Sequence, residues 1–230
     1  EEFGIVEAGK AKIIPLGFDL SKFRENQDAL RKEFRTQYRI DEQDIVIGII
    51  GRLAPIKNHK LLINSAFQIA KDRVKDLRIV IVGDGQLKEE LTDYCEKLNN
   101  ELGYPAFVFT SWIKNIEFAL AGIEIVALSS LNEGTPVSLI EAQAAGVPVI
   151  STRVGGVEDI VLNEETGVIV DGFEEIQYTE KLKLLVESKE IRAKMSQNGW
   201  NHVREEFSYN RLCSDVANLY NELLKKKGIE

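Results

Sequence analysis

The apolar positions of this chain gather into six short and nearly unbroken runs. They are IVIGIIG (45 to 51), RIVIVG (78 to 83), FVFT (107 to 110), IEIVALSS (123 to 130), VPVIST (147 to 152) and GVIV (167 to 170). Runs that do not alternate with polar residues predict strands buried on both faces of a parallel sheet. Between them the period changes to that of a helix. Leu62, Ala66 and Ile69 share one face, and Leu87, Leu91, Tyr94 and Leu98 share another. Such alternation implies βαβ units with right-handed crossovers. Ile13-Ile14 before Pro15 predicts an additional short edge strand. Beyond about residue 174 the pattern is helical only. In its last segment, YNRLCSDVANLYNELLKKK, apolar residues recur at Leu212, Val216, Leu219 and Leu223, which predicts an amphipathic helix docked on a surface. The expected architecture is one α/β domain over residues 1–230, a doubly wound Rossmann-like parallel sheet of about six strands with C-terminal helices. Its core is expected over about 13–206 and its last helix over about 209–227.

Composition narrows the function without altering this picture. The 230 residues suffice for one sizeable α/β core. A formal charge of −8, from 29 Lys and Arg against 37 Asp and Glu, argues against a nucleic-acid partner. The Lys225-Lys226-Lys227 run reads as a solvated helix end. Cys95 and Cys213 each sit in a helical apolar stripe and are expected to be buried thiols in a reducing compartment rather than a disulfide. Glu124 interrupts the most apolar stretch, FALAGIEIVAL, so no membrane span is expected, and no secretory leader either. A cytoplasmic protein is the expectation. The chain opens on Glu rather than Met, which reads as a fragment of something longer.

Two phosphate-loop patterns are decoys. GIVEAGKA, Gly4 to Ala11, matches most of G-x-x-x-x-G-K-[ST], but Ala11 offers no hydroxyl and no strand precedes it. Gly83-Asp84-Gly85 follows a strand but has Lys88 where a dinucleotide fingerprint needs its third glycine.

Ligands of doubly wound sheets bind beyond the carboxyl ends of the strands. At one such end stands LNEGTPVSLIEAQAAGVPVI, residues 131 to 150. Thr135 is expected as the helix N-cap and Pro136 as the first helical residue. The amides of Val137 and Ser138 then face an incoming anion, with Gly134 keeping the approach open. At another strand end, GRLAPIKNHK offers Arg52 and Lys57, the latter before a helix starting near Asn58. Together these cations and amides can neutralise a diphosphate without a metal. No Asp-x-Asp pair or His/Cys/Asp cluster has ligand spacing, and His59 and His202 receive no role. A glycosidase pair at Glu133 and Glu141 would need one carboxyl held protonated, facing a partner about 5 to 10 Å away. Cationic surroundings favour ionised carboxylates instead, suited to accepting hydrogen bonds from sugar and ribose hydroxyls.

Arg52 and Lys57 in GRLAPIKN, GDG after RIVIV, the E-x7-E pair Glu133/Glu141 and the following STRVGGVEDIV resemble the C-terminal, donor-binding domain of the family 4 retaining glycosyltransferases (group 1, GT-B fold). PLGFDLSKF resembles the segment by which the chain enters that domain, and the likeness runs from about Ile13 to the last helix. The resemblance implies transfer of a hexose from a nucleotide diphosphate sugar to an acceptor hydroxyl with retained anomeric configuration, in bacterial polysaccharide or glycoconjugate synthesis. It implies no cofactor and no metal. The implied donor site is Gly51, Arg52, Lys57, Gly83, Glu133, Gly134, Thr135, Val137 and Glu141. Arg52 and Lys57 would hold the phosphates and steady the leaving diphosphate. Glu133, with amides near Gly134 and Thr135, would meet the donor sugar, and Glu141 the ribose. The family's N-terminal acceptor domain is absent, and contact with a membrane surface is expected only through it.

The chain departs from the family at Thr135, where an aromatic residue is common, and at Thr110-Ser111-Trp112, which lacks a glycine near the base-binding strand end. Gly155-Gly156 and Glu158 match a loop near the cleft, and a structural turn is an equal reading. The alternatives are a non-catalytic nucleotide-sugar-binding or scaffold domain, and a phosphorylase-like enzyme on the same fold.

Overall fold

The computed structural model describes residues 10–72 and 76–228. Its elements in chain order are α1 (Gln27–Tyr38), β1 (Ile45–Ile50), α2 (His59–Lys71), β2 (Leu77–Val82), α3 (Lys88–Leu102), β3 (Phe107–Ser111), α4 (Ile116–Ala121), β4 (Ile125–Leu128), α5 (Val137–Ala144), β5 (Val149–Thr152), β6 (Gly167–Val170), α6 (Glu175–Glu187), α7 (Lys189–Glu206) and α8 (Tyr209–Lys226). All six strands fall within the predicted apolar runs, give or take a residue. They pair in parallel in the order β3-β2-β1-β4-β5-β6. The order reverses between β1 and β4, so the loops leaving these two strands part to opposite faces and open a crevice at their carboxyl ends.

Period-two geometry divides each strand between two cores. Ile47 and Ile49 of β1, with Ile79 and Ile81 of β2, pack under α2, α3 and α6 beside Leu62, Leu91 and Tyr178. Val46 and Ile50, with Val80 and Val82, face α1, α4 and α5 beside Phe34, Leu120 and Leu139. Burial on both faces is the reason the sequence shows unbroken apolar runs rather than alternation.

The amino ends of the strands are closed by fixed charges. The buried Arg35 guanidinium donates to both Glu124 carboxylate oxygens at 2.7 Å and to the Asp41 carbonyl at 2.6 Å. Glu124 also accepts the Val46 amide at 2.8 Å and pairs with Arg31. Buried Arg78 and Asp44 meet at 2.8 Å alongside.

Two expectations need correction, and residues 4–9 of the Gly4 to Ala11 decoy lie outside the described residues. Ile13-Ile14 form no strand. Ile13 is exposed, and the segment reaches the fold through backbone contacts of Phe18 with Phe207 and Tyr209. Pro15 removes a donor just where a ladder would need one. Cys95 is buried as expected, but Cys213 is exposed, because α8 meets the domain along a narrow line. Among the described residues none of α8 is buried. Its docking rests on Leu212 against Gly17 and on Arg211, which donates to the Pro15 and Leu16 carbonyls. Tyr220, Leu223 and Leu224 remain exposed. No helix among the described residues is long and apolar enough to cross a membrane.

Candidate functional site

Three strand-exit loops are stitched together at the crevice by carbonyls that accept from main-chain amides and from two side-chain hydroxyls. After β1 the chain runs through Gly51 and Arg52 to the fully buried Leu53, then a single 3-10 turn at Pro55–Lys57, and Asn58 in the left-handed region starts α2. After β4, the Leu131 amide donates to the Ile56 carbonyl at 2.8 Å. Ser129 Oγ lies 3.0 Å from the Lys57 and Asn58 carbonyl oxygens. Following β5, Thr152 Oγ1 donates to the Ser130 carbonyl at 2.7 Å, and the Gly156 amide donates to the Gly134 carbonyl at 3.0 Å.

This stitching brings the predicted Lys57 and Glu133 together. Lys57 Nζ donates to Glu133 Oε1 at 2.6 Å, with only 18% and 11% of the two side chains exposed. Ser130 Oγ donates to the same oxygen at 2.6 Å. Ser130 escaped the sequence reading, although a Ser-Ser pair ending a buried strand is the available signal. Arg52 stands exposed at the β1 exit and makes no ion pair among the described residues. Gly83 comes close to Gly51, whose carbonyl oxygen would lie 1.9 Å from a Cβ at 83. The glycine there admits a neighbouring loop, whatever else lies above it.

Gly155 has the same function behind Glu133. Its φ is +50°, and a Cβ built on it would lie 1.6 Å from the Glu133 carbonyl oxygen. Only glycine fits both demands. Gly155-Gly156 is therefore the backing of the Glu133-Gly134-Thr135 loop, the structural reading of the two that the sequence left open.

The helix start is shifted by one residue from the expectation. α5 begins at Val137 with Pro136 as its N-cap, at φ −74° and ψ 86°, and no side chain caps it. A proline's fixed φ suits either place, and here its ψ is not helical, so Thr135 moves out into the exposed loop. The Leu139 amide turns back to the Pro136 carbonyl at 3.0 Å. The amides of Val137 and Ser138 have no intrahelical acceptor and carry the positive end of the helix dipole.

Glu141, one turn further along α5, departs from the expected electrostatics. Burial pushes its carboxyl above the usual range; Lys22 opposes this and Glu117 adds to it. The cationic surroundings predicted for both glutamates hold at Glu133 beside Lys57, while at Glu141 desolvation dominates. Lys22 and Glu117 were not singled out from the sequence, because they come from the 3-10 turn Ser21–Arg24 and from α4. His59 lies buried at the start of α2. Burial, then the nearby Lys57 charge, lowers its pKa to about 4, so the ring is neutral. Neither ring nitrogen has a hydrogen-bond partner among the described residues. Among those residues no three His, Cys, Asp or Glu converge as metal ligands.

The arrangement is a rim of one ammonium, one exposed guanidinium and two helix amides, bracketed by two glutamates. It suits a dianion flanked by hydroxyl-bearing groups. Comparison with known proteins gives the same direction. The chain is 27% identical over 225 residues to the D-inositol 3-phosphate glycosyltransferase of Corynebacterium glutamicum, covering 96% of this chain and 54% of that protein. It is 27% identical to the capsular polysaccharide biosynthesis glycosyltransferase CapM of Staphylococcus aureus, covering 95% and 58%. The chain thus spans about half the length of the relatives it matches. Its fold superposes on Anabaena HepE in complex with UDP with a TM-score of 0.81 at 20% identity, over 92% of this chain and 57% of that one. It also matches the C-terminal domain of a group 1 glycosyl transferase, LpcC of Francisella tularensis, with a TM-score of 0.72 at 25% identity, over 84% of this chain and all of that one. The family model for glycosyl transferases group 1 matches residues 31–202, from α1 through the rim loops to α7, and the chain belongs to that family.

Proposed function

We propose that this chain is the donor-binding half of a retaining glycosyltransferase that moves a hexose from a nucleotide diphosphate sugar to an acceptor hydroxyl. The observation that carries the reading is the enclosed Lys57–Glu133 pair in front of the free amides of α5. This supports a diphosphate site beside a hydroxyl acceptor on one rim. In this reading Arg52 and Lys57 bind the phosphates with the Val137 and Ser138 amides, and Gly51, Gly83 and Gly134 keep the approach clear. Glu133 and the loop amides to Thr135 orient the hexose, while Glu141 accepts from the ribose hydroxyls.

The step follows from where charge develops. The bond from the anomeric carbon to the leaving phosphate oxygen breaks, and the acceptor oxygen bonds to that carbon from the same face. Its proton passes to the departing phosphate oxygen. Negative charge grows on the diphosphate, where preorganised cations and dipoles act most strongly. Fixed cations here supply the charge that a divalent metal supplies elsewhere, so the reading includes metal-independent transfer. The acceptor side belongs to the other half of the polypeptide. The exposed Tyr220, Leu223 and Leu224 of α8 are the surface offered to it.

Calorimetry with UDP and GDP, in the presence of a metal chelator, tests the reading. One nucleotide is expected to bind with the chelator present, and Arg52→Ala to weaken it about tenfold, the value of a charge-assisted phosphate contact. Absence of binding by either nucleotide would overturn it. Binding by a full-length protein that never consumes the donor sugar would instead favour a non-catalytic nucleotide-sugar module.

A further inference from the structure

β4 runs out into Ser129 and Ser130, both fully buried, and each serves one end of the Lys57–Glu133 pair. Ser129 Oγ, 3.0 Å from the Lys57 and Asn58 carbonyl oxygens, fixes the backbone from which Lys57 projects. Ser130 Oγ donates to Glu133 Oε1 at 2.6 Å. Ser130 is held in turn, because its carbonyl accepts from the hydroxyl of fully buried Thr152 at 2.7 Å. Lys57 Nζ donates to the same Oε1, also at 2.6 Å. The Glu133 carboxylate is thus gripped at one oxygen by two donors, while Oε2 accepts no hydrogen bond among the described residues.

The two grips differ in kind. Lys57 passes over Gly51, where a Cβ would lie 3.5 Å from its Cε, and its ammonium ends a flexible four-carbon stem. In the donor-binding reading that ammonium also has to meet the phosphates. An arriving dianion carries more negative charge than the carboxylate does, and Lys57 can turn to it without moving its backbone. Glu133 then loses one of its two donors just as the sugar arrives. Ser130 has no competing partner among the described residues. Its short side chain, with one heavy-atom torsion, leaves the hydroxyl little room to follow a ligand.

We propose that Ser130 is a positioning residue: its hydroxyl keeps the Glu133 carboxylate aimed at the donor sugar while Lys57 turns from Glu133 to the donor phosphate. The free Oε2 is the atom held out to the sugar hydroxyls. This rests on the donor-binding reading and adds to it how one lysine serves two stations without releasing the glutamate.

Calorimetry tests this with UDP and its glucose, galactose and N-acetylglucosamine conjugates, or with GDP, GDP-glucose and GDP-mannose if GDP is the nucleotide that binds. The conjugate that wild-type protein holds tightest relative to the bare diphosphate is the probe. Ser130→Ala is expected to weaken that conjugate about tenfold, as for a lost hydrogen bond to a charged group, and the bare diphosphate by less than about twofold. Ser130→Thr, which keeps the hydroxyl, should recover most of the loss. A cycle with Glu133→Ala separates positioning from general damage: once the carboxylate is gone, Ser130→Ala should weaken the conjugate by less than about twofold more. If the threonine variant fails to fold, the cycle decides by itself. Equal weakening of conjugate and diphosphate by Ser130→Ala, or an undiminished effect in the Glu133→Ala background, overturns the positioning role and leaves the donor reading intact. A wild-type protein that binds the diphosphate yet gains nothing from any of these sugars overturns it too. Failure of both nucleotides to bind overturns the donor reading as well.

Discussion

Glu133 pairs with the cation that the proposed donor phosphate would need, so for the nucleotide that binds, written here as UDP and UDP-glucose, Glu133→Gln is expected to shift the affinities of the diphosphate and of its sugar conjugate in opposite directions. Lys57 Nζ sits 2.6 Å from the carboxylate in a partly enclosed site. Two unit charges near 4 Å attract by about 4 kcal/mol at an effective dielectric of 20, before desolvation is subtracted. A phosphate approaching Lys57 must compete with that attraction. The substituted amide keeps the size and an acceptor for Ser130, yet removes the competing charge. UDP, which has no hexose, is then expected to bind about fivefold tighter, a gain of about 1 kcal/mol. UDP-glucose loses the charged acceptor for its hydroxyls, worth about 1.5 to 3 kcal/mol, and is expected to bind about tenfold weaker on balance. Calorimetry on one protein preparation at fixed salt measures both. Lys57→Met is the control and should weaken both ligands together. Equal weakening of UDP and UDP-glucose by Glu133→Gln would refute the reasoning, because Glu133 would then act only by holding Lys57 in place.

Three further outcomes follow from the geometry. Gly155→Ala forces a methyl group toward the Glu133 carbonyl at a positive φ, so UDP-glucose binding should fall at least tenfold, while UDP, held at the phosphates, falls less; equal losses for the two ligands by calorimetry would count against a backing role for Gly155. Burying neutral His59 lowers its pKa from 6.5 to about 4, so the unfolded state binds the extra proton between those values and the wild-type protein loses about 2 kcal/mol of stability between pH 7.5 and pH 5 on this account. Urea unfolding of His59→Leu should lack that part of the loss, and parallel pH profiles for the two proteins would refute it. Glu141→Gln removes a carboxylate whose ionised form burial disfavours, so it should raise the melting temperature of the ligand-free protein at pH 7 and weaken UDP about tenfold without affecting pyrophosphate; an unchanged UDP affinity would sever Glu141 from the ribose.

What the sequence disclosed and what it withheld have a physical division. The six strands were legible because each is buried on both faces, and the resulting apolar runs have no other economical reading. Ile13-Ile14 looked alike over two residues, but a pair beside Pro15 has neither the length nor the donors to join a ladder. The stripe of α8 was legible as a period, whereas its exposure was not, since periodicity tells which residues share a face and not what covers it. At the site, Lys57 and Glu133 were readable from local motifs. Their direct contact spans 76 positions in the chain and depends on how β1 and β4 pair. Gly155 and the Lys22–Glu117 pair act through contacts of that kind, and no local spacing encodes them.

The stitching of the rim has a consequence for how this protein can change. The loops after β1, β4 and β5 hold one another through amide–carbonyl bonds, at Leu131 to Ile56 and at Gly156 to Gly134, and through the Ser129 and Thr152 hydroxyls. Main-chain contacts persist whatever side chain projects from the same residue. Asn132, Thr135 and Trp112 project from these or neighbouring strand ends and are exposed. They are interchangeable fittings on a fixed jig. Libraries confined to these three positions would alter what the rim holds without loosening the frame that holds it, which makes this edge of the sheet the place to retune donor choice.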